Sequence, residues 1–430
     1  MRLRISPLSG RSRGFGRTAM IVGRSLCLSC RGGKMLCGRL VCPLLLKLTA
    51  SSKYRGLLDS NLIEGSSPPS VFVGRAGYPK VYVGPMIPPL KGDTAILDEP
   101  ERWVGKSIDE IVDFRYALVR GKARVNAVKV EESRFISSLQ EFAMACEPVD
   151  VEALFKRRPS GVMVLSEFSP PFGPSAPLLD FKAGNVKADP RVERAFYDPH
   201  LKASEAVWRL YLDGVSVTKI QRCLSVGMLG VRPDRKLVPT RWSITAVDDV
   251  VSKKLISQIK GFSTIDEYRV HYFKYLDNRY VVLLSPSGWE FEWIEAWFPG
   301  TTWNMSGSRA ELMGDYEGYW GRTTYAEVGG CYYSARLAVV EALVKERRQA
   351  SALALREIHP GYTLPVGVWN VRESLRATMN AKPKLFDNHS DAVRYAMSKL
   401  TIPLEKWMQA SKLLKNLRGQ IRLERFLRHG

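Results

Sequence analysis

The stretch "YRVHYFKYLDNRYVVLLSPSGWEFEWIEAWF", residues 268–298, decides the fold class. The period of "YRVHYFKYL" is two, which is typical of a β-strand with one buried face. Asp277, Asn278 and Arg279 separate this run from "YVVLLSP", and the pair predicts a β-hairpin. A further strand-like run, "WEFEWIEAWF", follows at once. Its aromatic side chains are interpreted as half-buried strand residues, with stacking on nucleobases as the alternative.

Helical patterns fill much of the remaining chain. A capping box from Ser107 to Glu110 opens one helix, and residues 131–146 continue the helical section. Residues 204–229 predict two helices joined at Gly214, either an ordinary αα-hairpin or a DNA-binding helix-turn-helix. Residues 332–361 predict one long amphipathic helix, and three helical stretches follow it. The fold class is therefore α+β, a mixed sheet-and-helix body with a helical C-terminal region.

The charge of the chain is concentrated at its two ends. The 430 residues carry a net charge of +21, with 12 Lys or Arg and one acid in residues 1–60, and seven Lys or Arg and two acids in residues 401–430. Basic ends favour a nucleic-acid partner, because each neutralised phosphate releases counterions. The alternative is a basic surface that only keeps the protein soluble. No apolar run approaches the ~18 residues of a membrane span, so we expect a soluble cytoplasmic protein.

Residues 1–19 form a separate basic segment. They contain five arginines and no acid, a composition that superficially matches an organellar transit peptide. The competing interpretation is that translation begins at Met20. We expect this segment to be disordered or to precede the true start, and it is left out of the fold prediction.

Four cysteines predict a small N-terminal zinc module, a structural site with Cys27, Cys30, Cys37 and Cys42 as ligands. Zinc takes four thiolates in a tetrahedron, and a Cys-x2-Cys turn supplies two of them from one side. Neighbouring glycines allow the chain to fold back with the other two. An iron–sulfur cluster, disulfides or unligated thiols are the alternatives.

Residues 66–89, "SSPPSVFVGRAGYPKVYVGPMIPP", predict a second β-hairpin. Its glycine-rich loop presents Arg75 and Lys80, which makes these two residues candidates for contact with nucleic-acid phosphates. The loop matches neither common phosphate-binding glycine motif, so ordinary turn chemistry is the competing interpretation.

No familiar catalytic signature occurs in the sequence, and enzymatic activity stays undecided. Carboxylates cluster at Asp248 and Asp249 and again at Glu290, Glu292 and Glu295. On a strand, Glu290 and Glu292 would share a face about 7 Å apart, a spacing compatible with a two-metal nuclease. Surface acids are the competing interpretation.

The C-terminal peptide "QIRLERFL" resembles the sliding-clamp (PCNA) interaction motif, Gln-x-x-hydrophobic-x-x-aromatic-aromatic. By that resemblance, Gln420 would occupy a small polar pocket while Leu423, Phe426 and Leu427 form one helical turn. Leu427 departs from the pattern, because many such motifs carry a second aromatic there. Gly419 would separate the peptide from the preceding helix, leaving it available to a partner.

Four motifs in order resemble the archaeal Nre family of DNA repair proteins. They are "CLSCRGGKMLCGRLVCP", "PPSVFVGRAGYPKVYVGP", "VPTRWSITAVDD" and the clamp-like C-terminal peptide. The resemblance spans roughly residues 20–430 and implies a role in the DNA damage response coupled to the sliding clamp. It implies no catalytic residues. A metal-dependent nuclease and a zinc-ribbon RNA- or ribosome-associated factor are the alternative functions.

These inferences divide the chain into six parts. The predicted parts are the basic segment 1–19, the zinc module 20–60, an N-terminal α+β body 61–260, a C-terminal α+β body 261–400, a terminal helix 401–419 and a clamp-interacting peptide 420–427.

Overall fold

The computed structural model describes residues 29–30, 33–36, 41–160, 173–305 and 307–416. Two six-stranded mixed sheets and a set of helices make up the described part of the chain. The predicted α+β class is therefore confirmed. Among the described residues, no helix is long and apolar enough to span a bilayer.

The first sheet comes from the N-terminal half of the chain. Its strands are β1 Leu62–Ser67, β2 Val71–Val73, β3 Lys80–Ile87, β4 Val119–Asn126, β5 Val149–Phe155 and β6 Ser175–Ala183. They lie in the order β1-β5-β6-β4-β3-β2, and every neighbouring pair is antiparallel except β4 with β6. The β2–β3 pair confirms the hairpin predicted at residues 66–89.

The second sheet contains the stretch that decides the fold class. Its strands are β7 Tyr268–Tyr275, β8 Asn278–Ser285, β9 Glu290–Trp297, β10 Glu311–Glu317, β11 Ser351–Ile358 and β12 Lys384–Phe386, in the order β10-β9-β11-β8-β7-β12. The predicted β7–β8 hairpin is confirmed. Its turn residues Leu276 and Asp277 have φ values of 47° and 53°, as a type I′ turn requires. The strand β9 is also confirmed, but β11 separates it from β8.

Eleven α-helices with defined bounds accompany the sheets within the described residues. They are α1 Pro43–Lys53, α2 Ile108–Ala117, α3 Arg134–Met144, α4 Pro190–Tyr197, α5 Ala203–Leu212, α6 Val217–Ser225, α7 Thr240–Ile259, α8 Gly330–Glu346, α9 Trp369–Asn380, α10 His389–Ser398 and α11 Leu404–Ala410. The capping box from Ser107 to Glu110 is present at α2. Helices α9, α10 and α11 lie within the helical stretches predicted after residue 361. The predicted terminal helix 401–419 is not continuous, because Ser411, the C-cap of α11, is extended at ψ 132° and a separate helical turn follows at residues 412–416.

The single long helix predicted at residues 332–361 is wrong. Helix α8 ends at Glu346, where Arg347 takes a left-handed conformation with φ 55°. The chain then turns into β11, all eight residues of which are buried. "SALALREI" is rich in good helix formers, but burial on both faces of a central strand favours an extended, nearly continuous apolar run. Tertiary burial therefore overrides local helix propensity in this segment.

The second sheet is covered on both faces. Helices α8 and α9 pack on one face, and α10 and α11 pack on the other. Alternate residues of β8 face opposite sides of the sheet. Val282 and Leu284 belong to the main core, whereas Val281 and Leu283 belong to the core beneath α10 and α11. The main core continues through α5, α6 and α7 to the first sheet, so the described parts of the predicted bodies 61–260 and 261–400 share one core.

A buried carboxylate connects the helices between the sheets. Asp248 of α7 is 0% exposed and accepts hydrogen bonds from Gln221 of α6 at 3.0 Å, Arg372 of α9 at 3.1 Å and Ser334 of α8. Burial raises the pKa of Asp248, and the Arg372 charge opposes this shift. The surface-acid interpretation is therefore wrong for Asp248.

We expect fragments 1–304 and 305–430 to fold only together. Cutting between β9 and β10 would separate β11 from the strands on either side of it, leaving unpaired edges and an uncovered core. Thermal unfolding followed by circular dichroism should show a cooperative transition for the co-expressed pair and for the intact chain, but for neither fragment alone. A cooperative, native-like transition in isolated 1–304 would contradict this.

Candidate nucleic-acid interface

Cations line the outer surface of β3 and β4. Arg120, Lys122 and Arg124 alternate along β4 with inward-facing residues, so their side chains lie on one face. On β3, Lys80 pairs with Asn126, and Tyr82 pairs with Arg124. We call Arg75, Lys80, Arg120, Lys122 and Arg124 the basic face.

The electrostatics of the basic face favour an anionic partner. Burial lowers the pKa of Lys122, and the positive charges of Arg120 and Arg157 lower it further. Lys80, Lys122 and Arg124 form no ion pair with an acid in the described ranges. Like charges held close together without acids between them are stabilised when phosphates or other anions bind.

Exposed aromatic rings border the basic face. Tyr82 is 50% exposed on β3 between the cations. Tyr78 of the hairpin loop lies against Trp242 of α7, with ring centroids 5.5 Å apart, and both rings are partly open to solvent. Thr240 ties the start of α7 to this hairpin by accepting a hydrogen bond from the Val73 amide at 2.9 Å. Aromatic rings interleaved with cations are typical of nucleic-acid interfaces.

The structure places both sequence-predicted contact residues, Arg75 and Lys80, at exposed positions of the β2–β3 hairpin. Lys122, Arg124, Tyr82 and Trp242 were missed by sequence reasoning. The signal for the β4 cations was available in "RGKARVN", where basic residues recur at every second position. No local sequence pattern predicts that Trp242 packs against the hairpin.

The glutamates considered for catalysis have structural partners instead. Glu290 accepts a hydrogen bond from the Tyr316 hydroxyl at 2.5 Å, and Glu295 pairs with Arg356 at 2.8 Å. Glu292 accepts from the backbone amides of Lys412 at 2.7 Å and Leu413 at 3.0 Å. The surface-acid interpretation is wrong for Glu292 and Glu295, because both are buried. Across the described ranges, no three His, Cys, Asp or Glu side chains form a metal-binding group.

The helix pair predicted at residues 204–229 is confirmed as α5 and α6. Lys219 is buried, and its Nζ donates to the carbonyl oxygens of Ala143, at 2.6 Å, and Ala145. Burial lowers the pKa of Lys219 to about 8. Arg222 is largely covered, with its side chain 10% exposed, and pairs with Asp98 at 3.0 Å. These groups line a cavity of about 250 Å³ and are unavailable to a DNA groove, which supports the ordinary αα-hairpin.

Half of the predicted zinc ligands fall within the described residues. Cys30 and Cys42 are both 7% exposed, and Cys42 is the N-cap of α1. Cys27 and Cys37 lie outside the described residues, as does the predicted clamp-interacting peptide with Gln420, Leu423, Phe426 and Leu427.

Two family models match consecutive parts of the chain. The archaeal Nre N-terminal model matches residues 36–304, and the archaeal Nre C-terminal model matches residues 317–426. The chain belongs to the archaeal Nre family. Residues 305–316, between the two Nre matches, contain most of β10, so the second sheet draws strands from both matched parts.

Named relatives of this Nre chain are similar over most of their length. DNA repair protein NreB of Archaeoglobus fulgidus is 46% identical over 90% of this chain and 97% of the relative. DNA repair protein NreA of the same organism is 39% identical over 86% of this chain and 92% of the relative. DNA repair protein NreA of Haloferax volcanii is 34% identical over 87% of this chain and 91% of the relative. No solved structure matches the chain.

Proposed function

We propose that this Nre chain is a DNA repair protein that binds DNA phosphates through its basic face and reaches its sites of action through the sliding clamp. The observation that carries the proposal is the basic face, where Lys80, Lys122 and Arg124 lie without a described acidic partner beside exposed aromatic rings. The relatives described as DNA repair proteins support the same role.

The chemistry of the basic face suits binding to the DNA backbone. Each contact between a cation and a phosphate releases a condensed counterion, which gives affinity that depends little on base sequence. The glutamates considered for strand cleavage have structural hydrogen-bond partners. The proposal therefore concerns binding and recruitment, and it assigns no catalytic residue.

Recruitment by the clamp is assigned to the C-terminal peptide 420–427. The last described helical turn is fixed to the sheet, because the buried carboxylate of Glu292 accepts two of its amides and the Ser411 hydroxyl. Leu413 and Leu414 of this turn are buried. The predicted motif begins four residues beyond Asn416, so it follows a firmly attached segment. A tethered module raises the local concentration of the protein at clamp-bearing DNA.

The four cysteines are assigned to a structural zinc ion. The burial of Cys30 and Cys42 is compatible with ligand positions, and Cys42 lies at the N-cap of α1, directly after the segment that contains the other three cysteines. With Cys27 and Cys37, these residues would supply the four thiolates that zinc takes in closed sites. Zinc would fix the segment that precedes α1.

For DNA binding, we expect Lys80→Ala combined with Arg124→Ala to weaken duplex affinity. The log–log salt slope should become less negative by about 0.9 for each phosphate that the variant no longer neutralises. Fluorescence anisotropy over a range of salt concentrations measures both quantities. The matched control is Lys382→Ala combined with Lys384→Ala, which removes the same charge near β12 in the other sheet. Equal slopes for the two double variants would exclude the basic face as the DNA site.

For clamp binding, we expect Phe426→Ala to weaken affinity by about 2 kcal/mol or more, the effect of removing a buried aromatic anchor at an interface. The melting temperature should not change. The control is Phe142→Ala, because Phe142 is fully buried in the main core and its removal should cost about 3–5 kcal/mol of stability. Calorimetry with purified clamp and thermal melts provide the measurements. A large fall in melting temperature for Phe426→Ala, with no clamp binding by the parent, would contradict the assignment.

For the metal, we expect about one zinc ion per chain, and its loss in Cys37→Ser, because a closed structural site needs all four thiolates. The control is Cys146→Ser, since Cys146 is exposed and lies outside the four-cysteine segment. Elemental analysis after gel filtration measures the zinc content. Iron with visible absorbance, or zinc retained by Cys37→Ser, would refute the assignment.

A further inference from the structure

A tight turn next to β10 presents two aromatic side chains at its tip. The Gly321 amide donates to the Gly318 carbonyl oxygen at 2.8 Å, which leaves Tyr319 and Trp320 as the central residues. Gly321 has φ +82°, a conformation that favours glycine. Trp320 is 92% exposed, and the two rings meet edge to face with centroids 5.2 Å apart. We call residues 318–321 the aromatic turn.

The segment that follows the aromatic turn is held rigidly. The Asp315 carboxylate accepts from Arg322 at 2.8 Å and from the Val328 amide at 2.9 Å. Arg322 also donates to the carbonyl oxygens of Thr324, at 2.9 Å, and Tyr325, at 3.2 Å. The exposed ring of Trp320 is therefore attached to a preorganised support, which lowers the entropy cost of binding a flat partner.

One cation lies directly against the aromatic turn, and a second lies near that cation's helix end. Lys260, the C-cap residue of α7, lies 4.5 Å from the Tyr319 ring centroid and 6.0 Å from that of Trp320. Arg347 lies over the ring of Phe262, two residues beyond Lys260, and is exposed. Neither cation forms an ion pair with an acid in the described part of the chain. A stacking surface with a cation beside it suits a nucleobase and its phosphate better than a neutral apolar peptide.

Helix α7 connects the aromatic turn to the basic face. Trp242 near its start lies against the β2–β3 hairpin, and Lys260 at its end lies beneath Tyr319 and Trp320. These two positions are 18 residues apart, which is about five turns, so they share one face of the helix at a separation of ~27 Å. That length corresponds to about eight base pairs of duplex DNA.

We propose that the aromatic turn stacks on unpaired nucleobases while the basic face holds the phosphates of an adjoining duplex. The protein then recognises DNA at a junction between double and single strands, with helix α7 setting the spacing. This inference rests on the proposed DNA-binding function and adds the class of DNA that the protein prefers.

The test compares a blunt duplex with the same duplex carrying a single-stranded arm, using fluorescence anisotropy. The parent should bind the armed DNA more tightly. Trp320→Ala should weaken binding to the armed DNA by about tenfold, the effect of removing one stacked base from an aromatic ring, and should leave duplex affinity unchanged. Trp320→Phe should restore most of the affinity. The control Trp303→Ala, at another exposed tryptophan, should bind both DNAs as the parent does.

Other outcomes overturn the inference in distinguishable ways. Parent-like binding by Trp320→Ala, or equal weakening on both DNAs, rejects stacking on unpaired bases and leaves the proposed function standing. Loss of clamp binding in Trp320→Ala, with DNA binding unchanged, rejects it in favour of a protein contact. Normal duplex binding by Lys80→Ala combined with Arg124→Ala rejects the proposed function itself, and with it the junction geometry.

Discussion

The arrangement of this protein depends on one buried charge. Asp248 has no contact with solvent, so its carboxylate is stable only because Gln221, Ser334 and Arg372 direct donors toward it. Removing one partner of a buried ion pair typically costs about 3–5 kcal/mol, because the other charge is left uncompensated. The donors come from α6, α8 and α9, so the same carboxylate fixes the position of α7 between the two sheets. The Tyr78–Trp242 ring pair lies at the start of that helix, and the aromatic turn lies at its end.

Local chemistry predicted the elements whose determinants are contiguous in sequence. The capping box at Ser107, the hairpin at residues 66–89 and the β7–β8 hairpin depend on a few neighbouring residues. The last turn is displaced from the predicted Asp277, Asn278 and Arg279, because its central residues are Leu276 and Asp277. The segment "SALALREI" shows the limit of such reasoning. It becomes β11 because β8 and β9, which lie far from it in sequence, pair with its two edges, and helices on either side of the sheet bury both of its faces.

The candidate site shows the same division between local and distant determinants. Arg75 and Lys80 were identified because they lie in a recognisable hairpin loop, whereas Trp242 reaches Tyr78 only through the packing of α7. Acidic residues misled the sequence analysis for a related reason. Nothing in "WEFEWIEAWF" shows that Glu292 is buried and accepts amides from residues about 120 positions later. Burial and distant partners, which no short window contains, decide what such a carboxylate does.

The hydrogen bonds of Glu292 also have a mechanical consequence. They join the last described helical turn to β9, a strand with hydrogen-bonded neighbours on both sides. A pulling force applied beyond residue 416 would therefore enter the sheet through a charged carboxylate and two backbone amides before it reached helix α11. Charge-assisted hydrogen bonds are among the stronger non-covalent links in proteins. The body can thus resist tension on its C-terminal end as one unit.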